Sequence, residues 1–145
     1  MVITYEGGLK FVAEARGHRV ETDQPVRAGG ADAAMMPLEL LSAALGTCVA
    51  LYVNRFLAAR SLPHESVRVE VRPVHAANPN RIARFEVNVE LPEGVPAELR
   101  ALIERVAASC PAHHTLAHGA EIAVALETAP AAAGGGLATA LPETA

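Results

Sequence analysis

Aromatic residues are rare in this sequence: it has no tryptophan, two tyrosines and three phenylalanines, together 3% of the chain. Hydrophobic residues nevertheless make up 51% of the 145 positions. The core must therefore consist mainly of alanine, valine, leucine and isoleucine, which let helices and strands approach closely. Because a chain of this length can bury roughly 68 to 70% of its unfolded surface, a single domain with a substantial core is predicted.

Cysteine is also scarce, with Cys48 and Cys110 the two examples. Two cysteines are too few for a disulfide scaffold, and an intracellular protein normally keeps such residues as thiols. They can be a redox pair or two inert buried thiols, since cysteine is among the most buried residue types. Composition alone favours the inert pair.

An excess of positive charge is missing, since 12 lysines and arginines face 16 aspartates and glutamates, for a net charge of -4. Nucleic acids and anionic membranes attract basic surfaces, so neither is an expected partner. The first residues, MVITYEGGLK, lack the basic and apolar regions of a signal peptide, and no charge-free run of about 18 apolar residues occurs. We therefore expect a soluble cytoplasmic protein.

Hydrophobic periodicity predicts an α+β fold with antiparallel strand pairs. Pro37 suits the first turn of a long helix over residues 37–60, whose segment 42–50 is small and apolar on nearly every side, as in a helix buried all round. A second, amphipathic helix is predicted over residues 96–109 and closes at Cys110 and Pro111. Strands are predicted at 2–5, 11–15, 19–23, 67–72, 85–91 and 122–126.

These elements place one domain over residues 1–127. Residues 128–145 are rich in alanine, glycine and proline, show no alternation and carry no charge before Glu143. Such a composition cannot bury enough apolar surface to offset the entropy of ordering, so a disordered tail is predicted.

Redox chemistry between the two cysteines requires that they face each other. One thiolate could then attack a peroxide, become a sulfenic acid and condense with the second thiol to a disulfide. A reactive thiol must ionise at neutral pH, and burial opposes ionisation. Cys48 lies roughly 17 Å into its helix, beyond the reach of the helix dipole, so a cation from another segment is required.

Glu39 is the second candidate for the site. It precedes Cys48 by nine residues, which on a straight helix is half a turn away in angle and about 13 Å along the axis. It therefore cannot contact the cysteine of its own helix unless the chain leaves the helix line near Pro37. Glu39 is either an ordinary first-turn acid stabilised by the helix dipole, which we favour, or acts across a dimer interface on the partner's cysteine.

A metal site is a third possibility, because one cysteine and three histidines fall within nine residues, and Cys48 could join them. Pro111 interrupts this stretch, and the spacing matches no familiar zinc pattern. Exposed loop histidines are the favoured interpretation, and no metal or other cofactor is expected. The cluster comprises Cys110, His113, His114 and His118.

Two motifs resemble the OsmC/Ohr family of osmotically inducible and organic-hydroperoxide-resistance proteins. They are MMPLELLSAALGTC at residues 35–48 and, about sixty residues later, SCP at 109–111 with TL at 115–116. The order of elements is also similar over residues 1–127. The proline-x-glutamate form, with Glu39 two residues after Pro37, resembles the broader OsmC-like branch, since in the best-characterised Ohr enzymes the glutamate directly follows the proline.

The resemblance implies antiparallel sheets around a long central helix in an intertwined homodimer, with active sites at the interface. It implies that Cys48 is the peroxidatic cysteine and Cys110 the resolving one, acting on an organic hydroperoxide. It also implies an arginine from the N-terminal hairpin that pairs with the glutamate and stabilises the thiolate. The reductant implied is a dithiol such as a lipoylated protein.

The sequence departs from the family pattern at this arginine. Lys10 occupies the corresponding position in Gly7–Phe11, with Arg16 and Arg19 as nearby substitutes. Lysine supplies charge but not the planar, two-pronged contact of arginine. The alternative function is therefore a binding or interaction module that keeps the fold with little or no peroxidase turnover.

Overall fold

The N-terminal part of the computed structural model, which describes residues 1–128, is a three-stranded antiparallel sheet. Its strands are β1 (Val2–Gly7), β2 (Lys10–Ala15) and β3 (His18–Thr22), in the order β1-β2-β3. Gly8 and Gly17 in the two connecting turns have φ angles of 60° and 80°, which glycine adopts at little steric cost. The predicted hairpin and the strand that precedes it are confirmed.

The long helix α1 (Pro37–Ala58) begins and ends close to the predicted positions. Four aliphatic residues spaced four apart form its buried face. This face packs against the second sheet and the two shorter helices. The four residues are Leu45, Val49, Val53 and Leu57, all at most 3% exposed.

The prediction that segment 42–50 of α1 is buried all round is wrong for the single chain. Ala44 and Thr47 in this segment are exposed, and Leu51, on the side of the helix opposite Val49, is 52% exposed. The packing within one chain therefore does not account for the small and apolar side chains on every face of α1. Among the described residues, α1 is also the one helix whose length and composition would suit a membrane span, a test that the core helix of a soluble domain passes equally well.

The second sheet consists of β4 (Arg68–Ala77) and β5 (Asn80–Glu90), an antiparallel pair that confirms the predicted strands and extends them towards their turn. Apolar residues on one face, including Val69, Val71 and Phe85, pack on α1. Gly46 of α1 makes this approach possible, because a Cβ atom there would lie 2.9 Å from the Val71 side chain.

Two helices follow the second sheet, where one was predicted. After a short 3-10 turn (Ala97–Leu99), α2 covers Arg100–Ala108 and buries Ile103 against α1. The additional helix is α3 (Pro111–His118). Pro111 ends one helix but also begins the next, because the first helical position needs no backbone N–H and tolerates the fixed φ of proline.

The predicted strand at 122–126 does not form in the single chain, and this prediction is wrong there. Residues 119–128 have no regular structure, and the alternating residues Ile122, Val124 and Leu126 are 83%, 82% and 96% exposed. A strand needs the hydrogen-bonding edge of another strand, and this segment pairs with none in residues 1–128. The predicted tail falls almost entirely at 129–145, outside the described residues.

Candidate active site

The fold brings together the two cysteines that the sequence places sixty-two residues apart. Cys48 is partly buried on α1, and it packs against the core cluster that contains Cys110. Cys110 is fully buried, at 0% exposure, and is the N-cap residue of α3. Both are thiols. The two side chains are close enough to interact, while the role of each sulfur stays a prediction.

The surroundings of Cys110 favour its protonated form. Burial raises the pKa of this thiol above its usual value of 9.0, and interaction with the Cys48 side chain raises it further. The backbone N–H of His113, which donates to the Cys110 Sγ atom over 3.3 Å, partly offsets the rise in pKa. A thiol that stays protonated at neutral pH is a poor nucleophile towards a peroxide, which fits a resolving cysteine better than a peroxidatic one.

Glu39 lies in the first turn of α1, where its carboxylate caps its own helix. The Glu39 Oε2 atom accepts a hydrogen bond of 2.8 Å from the backbone N–H of Met36. This contact satisfies an N–H at the helix start that would otherwise lack a partner. It is the interaction expected of an ordinary first-turn acid, and the role of Glu39 in the chemistry stays a prediction.

Of the cationic side chains proposed for the thiolate, Arg19 is paired elsewhere within the chain and Arg16 lies in a turn. The charge of Lys10 acts on Asp23, whose pKa it helps to lower. Arg16 lies in the turn between β2 and β3 with a φ of 52°. Arg19 pairs with two exposed carboxylates, those of Glu6 at 3.4 Å and Glu21 at 3.6 Å.

Asp23 is a buried carboxylate that the sequence analysis did not identify. It is 1% exposed and accepts backbone N–H bonds from Gln24 at 2.8 Å, Ala31 at 3.0 Å and Ala33 at 3.1 Å. These bonds close the loop that connects β3 to α1. The sequence feature that could have predicted this role is an aspartate shortly before a glycine-rich segment. Aspartate side chains commonly accept hydrogen bonds from nearby backbone N–H groups in loops.

Replacing Asp23 by asparagine should destabilise the protein at neutral pH, and the difference from wild type should shrink in acid. The pKa of Asp23 lies below its ordinary 3.8, mainly because the backbone N–H groups of Ala33, Gln24 and Ala31 donate hydrogen bonds to the carboxylate. The charge of Lys10 lowers the pKa further, and burial partly opposes the shift. A carboxylate with a lowered pKa in the folded state contributes stability above about pH 4, which is lost as pH falls through the folded-state value. Thermal unfolding from pH 7 to pH 2 measures the effect.

Asp32→Asn is the matched control for this prediction. Asp32 lies in the same loop but is exposed, and asparagine tolerates its φ of 55°. The melting temperature of this variant should follow that of wild type at every pH. Parallel curves for wild type and Asp23→Asn over the whole range would contradict the proposed role of the carboxylate.

An apolar groove of about 850 Å³ opens along the face of α1 that carries Leu45 and Val49. Residues of α1, β5, α2 and α3 line it, and α1 contributes Leu45 and Val49, which lie three residues before and one residue after Cys48. Its apolar walls include Leu38, Leu41, Phe85 and Ile103, and its charged residues include Arg81, Arg84 and Arg100. The groove can accommodate an apolar group against the α1 residues that flank Cys48 in the sequence.

The metal cluster considered from the sequence does not form. Cys110 is buried, whereas His114 and His118 are exposed on α3. In residues 1–128 no group of three or more histidine, cysteine or acidic side chains is arranged to hold a metal ion.

The fold has a counterpart among solved structures. A protein of Psychrobacter arcticus 273-4, named as an osmotic stress induced and detoxification response protein, superposes with a TM-score of 0.73 over 79% of this chain and 85% of that chain, at 22% identity. An organic hydroperoxide resistance protein OsmC from Legionella pneumophila is 19% identical over 78% of this chain and 90% of its own, with a TM-score of 0.46, too low to establish a shared fold. Among curated protein sequences none matches this chain.

The family comparison covers the site itself. The model of the family described as OsmC-like protein matches residues 29–125, a range that includes α1, both strands of the second sheet, α2, α3 and both cysteines. The match spans more than half of the chain, and it agrees with the resemblance of the two cysteine motifs. The chain belongs to the OsmC-like family.

Proposed function

We propose that this protein is a thiol-dependent peroxidase that reduces organic hydroperoxides. Membership of the OsmC-like family supports a redox-related role. The observation that carries the specific proposal is the packing of two thiols of unequal environment, one partly buried on α1 and one sealed at the start of α3. This is the arrangement that a peroxidatic and a resolving cysteine require.

In the first step, the Cys48 thiolate attacks the terminal oxygen of the hydroperoxide. A sulfur–oxygen bond forms, the oxygen–oxygen bond breaks, and the leaving alkoxide takes a proton to depart as an alcohol. Cys48 is then a sulfenic acid. In the second step, the Cys110 sulfur attacks the Cys48 sulfur and loses its proton, and the sulfenic hydroxyl departs with it as water, which leaves a disulfide. An external dithiol, such as a lipoylated protein, reduces this bond by exchange and is itself oxidised.

The apolar groove along α1 supports an organic rather than an inorganic peroxide. Its walls are apolar side chains of α1, β5 and α2. Moving an alkyl group from water into such surroundings is favourable by roughly 25 cal/mol per Å² of apolar surface buried. Hydrogen peroxide has no alkyl group and gains nothing from these walls.

The proposal includes a homodimer in the cytoplasm. Exposed apolar residues support the dimer: Leu51 on the side of α1 opposite Val49, and the alternating Ile122, Val124 and Leu126 after α3. A second copy can cover such side chains and can offer the alternating segment a strand edge to pair with. In such a dimer, Lys10, Arg16 or Arg19 and Glu39 of one copy can act at the cysteine of the other.

A binding module with little turnover is the second candidate. It is favoured by the pairing of Arg19 with Glu6 and Glu21, and by a large apolar groove that needs no redox chemistry to bind a ligand.

Mass spectrometry after one equivalent of cumene hydroperoxide tests the peroxidase proposal. The reduced full chain is expected to lose the mass of two hydrogen atoms and to yield a peptide pair linked between Cys48 and Cys110. Cys110→Ser has no second thiol in the chain to condense with the sulfenic acid. Cys48 should therefore stay as a sulfenic acid, which dimedone traps. Unchanged thiols in the wild-type protein would refute the peroxidase and leave the binding module.

Replacing Leu51 by glutamate tests the dimer. Leu51 is 52% exposed on α1, so the substitution leaves the core of the single chain intact, while a carboxylate buried in an apolar interface is strongly unfavourable. Sedimentation is expected to give a dimer for wild type and a monomer for Leu51→Glu. Ala58→Glu, at the exposed end of the same helix, is the control and should stay dimeric. A monomeric wild-type protein at micromolar concentration would contradict the dimer.

A further inference from the structure

Two histidines on α3 lie on the same face, one helical turn apart. His114 and His118 are separated by four residues, and their imidazole rings stack with centroids 5.8 Å apart and an interplanar angle of 13°. Both side chains are exposed. The mechanism proposed above uses neither of them.

Imidazole is a common ligand of transition metals, and two histidines at positions i and i+4 of one helix can bind the same ion. A metal–nitrogen bond is about 2.0 to 2.1 Å long. Exposed rings already held side by side reach one ion by rotation of their own side chains, without displacement of the core. We propose that His114 and His118 form a two-histidine site for a divalent transition-metal ion.

The surrounding residues define the character of the site. The third histidine of α3, His113, has its ring edge-on to His114 at 6.0 Å and lines the apolar groove. The part of the chain that the structure describes contributes no cluster of three ligands. Water therefore completes the coordination, so the site is open and its metal exchangeable. Such a site is separate from the sealed thiol of Cys110 at the other end of the helix.

The choice of ion follows from the ligands. Two neutral nitrogens favour nickel, copper and zinc, whereas magnesium prefers oxygen ligands. Protons compete with the metal for the imidazole nitrogen, so affinity falls with falling pH. A bound ion joins two residues of the last turn of α3 and so opposes fraying of that helix end.

Calorimetric titration of the full, reduced chain with NiCl₂ at pH 7.5 tests the proposal. Nickel is chosen because copper oxidises thiols and zinc binds them. One saturable site per chain is expected, with no saturable heat from MgCl₂. His114→Gln and His118→Gln should each weaken nickel binding by about tenfold or more, because the second imidazole acts at high effective concentration once the first has bound. Glutamine is a good helix former, so α3 is retained.

His75→Gln is the matched control, because His75 is exposed on β4 and has no histidine one turn away. It should leave the affinity within about twofold of wild type, since a lone imidazole contributes little. Paramagnetic broadening of NMR signals should centre on His114 and His118. The proposal is overturned if nickel gives no saturable binding with a Kd below about 1 mM, or if binding survives in both glutamine variants.

Discussion

Hydroperoxide consumption is expected to fall by about a thousandfold or more when Cys48 is replaced by serine, because a serine hydroxyl without an activating base is not ionised at neutral pH and is a weak nucleophile. The substitution removes a single sulfur from a partly buried position and leaves the core residues Val49 and Val53 in place. Consumption of cumene hydroperoxide, with dihydrolipoamide as reductant, measures the effect.

Cys110→Ser separates the two thiols. Its Cys48 should still reduce one equivalent of hydroperoxide, but the disulfide cannot form within the chain, and turnover should depend on direct reduction of the sulfenic acid by the dithiol. Consumption that survives Cys48→Ser would overturn the proposed chemistry. Consumption absent from the wild type as well as the variant would support the binding module instead.

Local pattern was sufficient to predict most elements. Alternating residues predicted the strands β1 to β5, and Pro37 followed by strong helix formers predicted α1. In each case one physical rule, the period of the side chains or the tolerance for proline at a helix start, acted without competition from another. The α+β class of the fold followed from these elements.

Two rules competed at Pro111, and the sequence could not decide between them. Proline ends a helix, which predicted the end of α2, but it is also well suited to the first position of a helix. The second role places Cys110 at the N-cap of α3, where its sulfur accepts the His113 N–H. The environment of the second thiol thus depends on a helix that the periodicity did not predict.

Contacts between distant segments lay beyond the sequence. Nothing local shows that Cys48 and Cys110 pack together, or that Asp23 gathers three N–H groups from its loop. The segment with Ile122 and Val124 alternates as a strand does, yet it has no partner strand within the described chain. The alternation is typical of a strand, but a strand forms only where another strand offers an unpaired hydrogen-bonding edge.

Replacing Gly30 by alanine should cost about 3 kcal/mol or more of the free energy of unfolding, since overpacking that displaces backbone lies at the upper end of its usual range. An added Cβ atom would lie 1.9 Å from the carbonyl oxygen of Gln24 and 2.8 Å from the Asp23 Oδ1 atom. The first atom belongs to the backbone, and the second to a carboxylate held by three backbone N–H groups, so the loop itself must move. Because small domains are stable by only about 5 to 15 kcal/mol, urea denaturation should show a large shift of the midpoint.

Gly17→Ala is the control, because Gly17 has a φ of 80° but no atom near the added Cβ; it should cost about 1 kcal/mol from backbone strain alone. The coupling to Asp23 gives a sharper test. If Gly30→Ala opens the loop, the N–H groups of Ala31 and Ala33 no longer reach the carboxylate, and Asp23→Asn should then cost much less than it does in wild type. Equal costs for the two glycine variants, or additive effects of Gly30→Ala and Asp23→Asn, would show that the carboxylate does not hold this loop closed.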